Sequence, residues 1–82
     1  MKKVIYLAAA RKALRKHRNV ASRIVEKIDA YAERPDAFAN LVSEMRGLPG
    51  KRLRVGDFRV IFEESMTVIT ITAIGPRGGI YK

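Results

Sequence analysis

The sequence predicts an α+β fold: a small antiparallel β-sheet with two N-terminal helices packed on one face. Three stretches carry this expectation. Val20, Ile24, Ile28 and Tyr31 recur at spacings of four, four and three, which is one apolar stripe of a helix. The run KRLRVGDFRVI, residues 51–61, alternates apolar and basic side chains about the pair Gly56-Asp57. Glycine reaches positive φ without steric cost, so Gly56 suits the first position of a two-residue hairpin turn. The run TVITITAI, residues 67–74, is dense in β-branched residues and alternates as a strand does.

In chain order, Lys3 to Leu7 (KVIYL) predicts a short strand at an edge of the sheet. Leu7 through Arg18 predicts a helix with Ala8, Ala9, Ala10, Ala13 and Leu14 on its apolar side. Its other side carries Arg11, Lys12, Arg15, Lys16 and Arg18, with His17 as a surface residue among them. Asn19 is positioned to cap a second helix, Val20 to Arg34, which Pro35 ends. The two helices then form an antiparallel hairpin. Asp36 to Arg46 fits either a short helix or a structured loop, because Phe38, Leu41, Val42 and Met45 keep helical spacing. Gly47-Leu48-Pro49-Gly50 breaks the chain.

The Gly56-Asp57 turn sets Val55 opposite Phe58, Arg54 opposite Arg59, Leu53 opposite Val60 and Arg52 opposite Ile61. A second turn centred on Glu64-Ser65 would pair Val60 with Ile69, Arg59 with Thr70 and Phe58 with Ile71. Leu53, Phe58, Val60, Ile69, Ile71 and Ala73 then make the apolar face. Arg52, Arg54, Arg59, Thr70 and Thr72 make the opposite, open face. Gly75-Pro76 ends the last strand, and residues 77–82 form a tail. Arg54 facing Arg59 is locally repulsive, so a surface built this way points to an anionic ligand. Guanidinium forks match phosphate oxygens bidentately and stay charged at physiological pH.

Composition narrows the function. An 82-residue chain makes one domain, residues 1–82, with a small core. There is no cysteine and one histidine, which argues against a disulfide, a thiolate metal site or a histidine metal cluster, and no cofactor is expected. No stretch resembles a signal peptide or a membrane span, so a cytoplasmic protein without membrane contact is expected. The formal charge of +9 favours nucleic acid or an acidic partner. Residues 1–34 carry a net +7 and residues 35–82 a net +2, so most of the charge lies on the helical half. Arg11, Lys12, Arg15, Lys16, Arg18 and the strand residue Arg54 are the candidate phosphate contacts.

The order of elements, with MRGLPGKRLRVGDFRVIFEE and AIGPRGGIYK, resembles the RelE/ParE superfamily of type II toxin–antitoxin toxins. The first stretch is similar to the family's R-L-R-V-G-D-Y-R-V-I-Y run, and the second to its I-G-H-R-x-x-I-Y ending. The resemblance implies a toxin neutralised by a cognate antitoxin with an acidic or amphipathic segment. RelE-like members cleave messenger RNA on the ribosome without a metal, as endoribonucleases that inhibit translation. Carried over, it makes Arg59, Arg77 and Tyr81 catalytic, and sets Arg52 where such a toxin has a basic lysine. Lys51 is an approximate substitute for a second lysine, expected where this chain has Gly50. The family's histidine before Arg77 is Pro76, and a C-terminal helix after Lys82 is not expected. An arginine stays protonated, so Arg52 suits charge stabilisation better than general-base work. Two alternatives stay open at this point: a ParE-like inhibitor of DNA gyrase, and a non-catalytic RNA-binding module.

Overall fold

The computed structural model describes residues 1–45, 47 and 50–78. The elements run β1 (Lys3–Tyr6), α1 (Ala8–Lys16), α2 (Arg18–Glu33), a 3-10 segment (Pro35–Leu41), β2 (Val42–Glu44), β3 (Lys51–Val55), β4 (Phe58–Glu64) and β5 (Val68–Pro76). The five strands form one sheet in the order β1-β5-β4-β3-β2. The α+β class is as the sequence predicts, but the sheet is mixed: β1 joins β5 in parallel, pairing Val4 with Ile69 and Tyr6 with Ile71. The cause is β2, where the sequence left a helix or loop open. Its three residues pair antiparallel with β3, adding one reversal of chain direction before the meander. That extra reversal turns β5 to run the same way as β1.

The stripe of α2 buries Ile24, Ile28, Tyr31 and Ala32, and α1 adds Ala10. They pack on Leu53, Val55, Val60, Phe62, Ile69, Ile71 and Ile74 from the sheet. Burying apolar surface on this scale is the main stabilising term in a domain of this size. The helix boundaries differ from the expected ones. His17 alone separates the two helices, and Asn19 lies inside α2, whose N-terminus has no side-chain cap. His17 is half-buried, its ring edge-on to Phe58 with centroids 4.9 Å apart, and it borders Lys12 and Lys16 of the basic patch, so it is a packing residue at the edge of that patch.

The β3–β4 hairpin has the expected register, from Val55 opposite Phe58 to Arg52 opposite Ile61. Gly56 has φ +58 and no other residue of the turn has positive φ, the pattern of a type II′ turn. The β4–β5 register does not match. Val60 pairs with Ile74 and Glu64 with Ile69, with a bulge opposite Ile61/Phe62. The reason is the side chain of Ser65. Its Oγ accepts from the amides of Thr67 (3.3 Å) and Val68 (3.1 Å), and its own amide donates to the Val68 carbonyl (2.9 Å). The turn therefore centres on Met66-Thr67, and Glu64 stays in the strand. Thr72 is the residue left without a partner at the bulge, and its hydroxyl donates to the Ile61 carbonyl (3.1 Å). Past it the faces exchange: Ala73 sits opposite Ile61 on the open side, and Ile74 takes the core position. β5 runs on through Gly75 and Pro76, beyond the expected end.

Glu64 points to the helix side, and its side chain is 7% exposed. Its carboxylate accepts from Tyr31 Oη (2.6 Å), Lys2 Nζ (2.5 Å) and Lys51 Nζ (3.3 Å). Burial pushes its carboxyl up, but the bonds from Lys2, Tyr31 and Lys51 outweigh this and hold it below the usual glutamate value. Tyr31 is raised by burial and by the Glu64 bond and charge. Tyr6 is pushed up to about 12, by burial first and then by Asp29. No helix among the described residues is long and apolar enough to cross a membrane.

Candidate nucleic-acid interface

The sheet face away from the helices holds the arginines. Alternation along β3 puts Arg52 and Arg54 on this side, roughly 6–7 Å apart along the strand. Arg59 comes up opposite Arg54 from β4. Arg77 follows β5, and its amide donates to the Asp57 carbonyl at 2.7 Å. This bond fastens the end of β5 to the Gly56-Asp57 turn and brings Arg77 beside Arg59. Arg52, Arg54, Arg59 and Arg77 share one recess of about 320 Å³ with Asn40, Leu41, Val42 and Ser43. No carboxylate lines it among the described residues. An adjoining recess of about 480 Å³ shares Leu41, Arg54, Arg59 and Arg77 and adds Lys27, Gly56 and Asp57.

Two of the guanidinium groups are held in place. Arg59 Nη1 donates to the carbonyls of Gly56 and Phe58, both at 3.0 Å, which leaves Nε and Nη2 for a ligand. Arg52 donates from Nε (3.2 Å) and Nη2 (3.1 Å) to Ser43 Oγ across the β2–β3 ladder. Arg54 and Arg77 are exposed, and no hydrogen bond or ion pair holds either guanidinium among the described residues. Four cations facing one concavity repel each other, and an anion between them relieves that repulsion.

The remaining sequence-based candidates lie elsewhere. Lys51 is on the opposite face, 3.3 Å from Glu64 Oε1, so it does not join the arginines. Tyr81 lies outside the described residues. Arg11, Lys12, Arg15 and Lys16 line the exposed side of α1, and Arg18 begins α2, on the helical layer. Arg11 Nη1 donates to the Tyr6 carbonyl at 2.7 Å. Lys12 and Lys16 also rim a recess of about 430 Å³ against Ile74, Gly75 and Pro76. The basic residues thus form two surfaces, one on each layer. Position 50 admits glycine only: φ is +102, and a Cβ would stand 2.9 Å from the Phe62 carbonyl oxygen. The lysine that the resemblance expected there has no room. Sequence reasoning missed Asn40 and Ser43, because nothing in residues 36–46 announced that a strand would bring them to the arginines, and it missed Lys27, which reaches the adjoining recess from α2. No group of three or more His, Cys, Asp or Glu side chains among the described residues is placed to hold a metal ion.

Comparison with known proteins bears on the family and the fold. Residues 4–81 match the family model described as the ParE toxin of the type II toxin–antitoxin system parDE. No curated protein matches the sequence. Among solved structures, the archaeal RelE–RelB complex from Pyrococcus horikoshii OT3 is 27% identical, with a TM-score of 0.75 over 95% of this chain and 97% of that one. The toxin–antitoxin complex RelBE2 from Mycobacterium tuberculosis is 18% identical, with a TM-score of 0.77 over 93% of this chain and 98% of that one. YafQ from E. coli strain BL21(DE3) is 10% identical, with a TM-score of 0.67 over the whole of both chains. The last two likenesses show the fold alone. A match running from β1 to the tail, on a fold shared with RelE, shows that the chain belongs to the ParE toxin family of type II toxin–antitoxin systems.

Proposed function

We infer that this toxin is a ribosome-dependent messenger-RNA endoribonuclease that inhibits translation and is restrained by a cognate antitoxin. The observation behind this reading is the recess in which Arg52, Arg54, Arg59 and Arg77 converge with no carboxylate among its described lining. In cleavage by the 2′-hydroxyl, that oxygen gives up its proton and attacks the adjacent phosphorus, the bond to the 5′-oxygen breaks, and the leaving oxygen takes up a proton. The products are a 2′,3′-cyclic phosphate and a 5′-hydroxyl. Charge builds on the non-bridging oxygens in the transition state, where preorganised cations act most strongly. Arg59, fixed by the Gly56 and Phe58 carbonyls, and Arg77, fixed through its backbone, are assigned this role. Arg52 and Arg54 hold the strand by its phosphates. Tyr81 is assigned proton transfer, as the resemblance implies. Lys51 is left out, since its ammonium pairs with Glu64 on the far face.

The antitoxin proposal draws on the complexes of RelE with RelB and on the net charge of +9, which favours an acidic segment that orders on binding. A second reading, inhibition of DNA gyrase, is favoured by the ParE family match. Expression in a bacterium with primer-extension mapping of messages separates the two. Codon-phased cuts without DNA damage support the endoribonuclease. DNA damage signalling with intact messages supports gyrase as the target.

A further inference from the structure

Four arginines explain how the recess holds phosphate, but not why one wall of it is built differently. That wall is the end of the 3-10 segment and the start of β2: Asn40, Leu41, Val42 and Ser43. It carries no charge. Asn40 is exposed, and its amide has both a donor and an acceptor edge. Leu41 is half-buried and offers apolar surface beside it, while Val42, opposite the buried Leu53, packs its side chain against the core. The Ser43 oxygen accepts two bonds from Arg52, so its own proton is left to donate. An amide, a hydroxyl donor and an apolar step are what reading the edge of a nucleobase requires. Asparagine pairs bidentately with base edges that present a neighbouring donor and acceptor.

The geometry ties this wall to the cut. Arg52 and Arg54 are two positions apart on one face of β3, a step comparable to that between successive phosphates of an extended strand. With one phosphate at Arg54, Arg59 and Arg77, the neighbouring phosphate falls at Arg52. The nucleotide between them then stands against β2, which pairs with β3 through Ser43 and Arg52. A volume of about 320 Å³ admits a base with its sugar. Resting on the endoribonuclease reading above, we propose that this wall selects the base adjoining the cut phosphate. Asn40 is the specificity-determining residue, and Ser43 both orients Arg52 and donates to the same base.

The test is cleavage of ribosome-bound messages carrying each of the four bases at each position around the cut. Wild-type protein, Asn40→Ala, Asn40→Asp and Ser43→Ala are compared, with circular dichroism as the check on folding. Wild-type protein is expected to prefer one base at one position. Asn40→Ala should lower the ratio of preferred to disfavoured rates at that position by on the order of tenfold. Asn40→Asp, which has acceptors only, should move the preference to a base presenting a donor. Ser43→Ala should raise KM more than it lowers kcat, since it loosens Arg52 without touching Arg59 or Arg77. If wild-type protein cuts with a preference that Asn40→Ala and Asn40→Asp both retain, the inference fails and the endoribonuclease reading stands. Cutting with no base preference defeats the inference in the same way. If wild-type protein cuts no message at all, the reading itself fails and the inference falls with it.

Discussion

Replacing Glu64 by glutamine should destabilise the protein by about 2 kcal/mol near neutral pH. The side chain keeps its volume, and its amide oxygen still accepts from Tyr31, which stands 2.6 Å from the carboxylate. What is lost is charge. The bond from Lys2 is short, 2.5 Å, and a hydrogen bond to a charged group contributes roughly 1.5–3 kcal/mol. The bond from Lys51 is longer, 3.3 Å, and its side chain is 40% exposed, which puts it near the ~0.5 kcal/mol of a surface pair. Both lysines can turn to water, so no stranded buried charge adds to the cost. For a domain of this size each kcal/mol moves Tm by about 4–8 °C, so a fall of roughly 8–16 °C is expected. The assay is thermal unfolding followed by circular dichroism across pH. Glu64 is held below its ordinary value, so its contribution is present above the unfolded-chain value of about 4.3 and is lost as pH falls through the folded value. Wild-type and Glu64→Gln curves should therefore stand apart at neutral pH and converge in acid. Coincident curves at neutral pH, or an equal gap at both ends, would refute the assignment.

Further expectations concern the core, the break before β3, alkaline pH and the helical patch. Phe62→Ala empties the centre of the core and should cost about 3–5 kcal/mol by denaturant titration. Gly50→Lys, which restores the residue the resemblance expected, should lower stability by roughly 1–3 kcal/mol instead of raising activity, because φ is +102 and the Phe62 carbonyl stands in the way. Tyr31 and Tyr6 are both raised, so their contribution is complete below the unfolded tyrosine value of about 10 and is lost as pH rises beyond it; Tyr31→Phe should flatten this alkaline loss. Arg15→Ala on α1 should weaken RNA binding uniformly across sequences and reduce the salt slope by about 1, measured by fluorescence titration over a salt series.

Legibility in the sequence followed how local each determinant is. The β3–β4 hairpin could be placed residue by residue because Gly56 fixes its turn and alternation fixes its faces. The next hairpin could not. Ser65 Oγ collects the amides of Thr67 and Val68, a side-chain preference that outweighs pattern matching and moves the turn past Glu64. Thr72 then adds a bulge that exchanges Ala73 for Ile74 in the core. β2 was hidden for a different reason: its three residues are a strand only because β3 lies beside them. The arginines on β3 and β4 were visible through period two. Their meeting with Arg77 depends on a backbone bond to Asp57, and the Asn40–Ser43 wall depends on β2, so neither could be drawn from local pattern.

Arg59 and Arg77 are assigned to stabilise charge on a phosphate while contributing little to folding. Single-turnover cleavage of ribosome-bound message tests this most directly, using wild-type protein, Arg59→Ala, Arg59→Lys and Arg77→Ala. Each alanine variant should lose about a hundredfold in rate, on the order of 3 kcal/mol of transition-state stabilisation. Arg77→Ala, at an exposed position, should unfold within about 0.5 kcal/mol of wild type, and Arg59→Ala, which gives up the bonds to the Gly56 and Phe58 carbonyls, should cost roughly 1 kcal/mol, far less than its loss in rate. Arg59→Lys should recover little, because a point charge cannot reproduce the guanidinium fork. Undiminished cleavage by both alanine variants, or a loss that tracks their unfolding, would remove both arginines from the catalytic role.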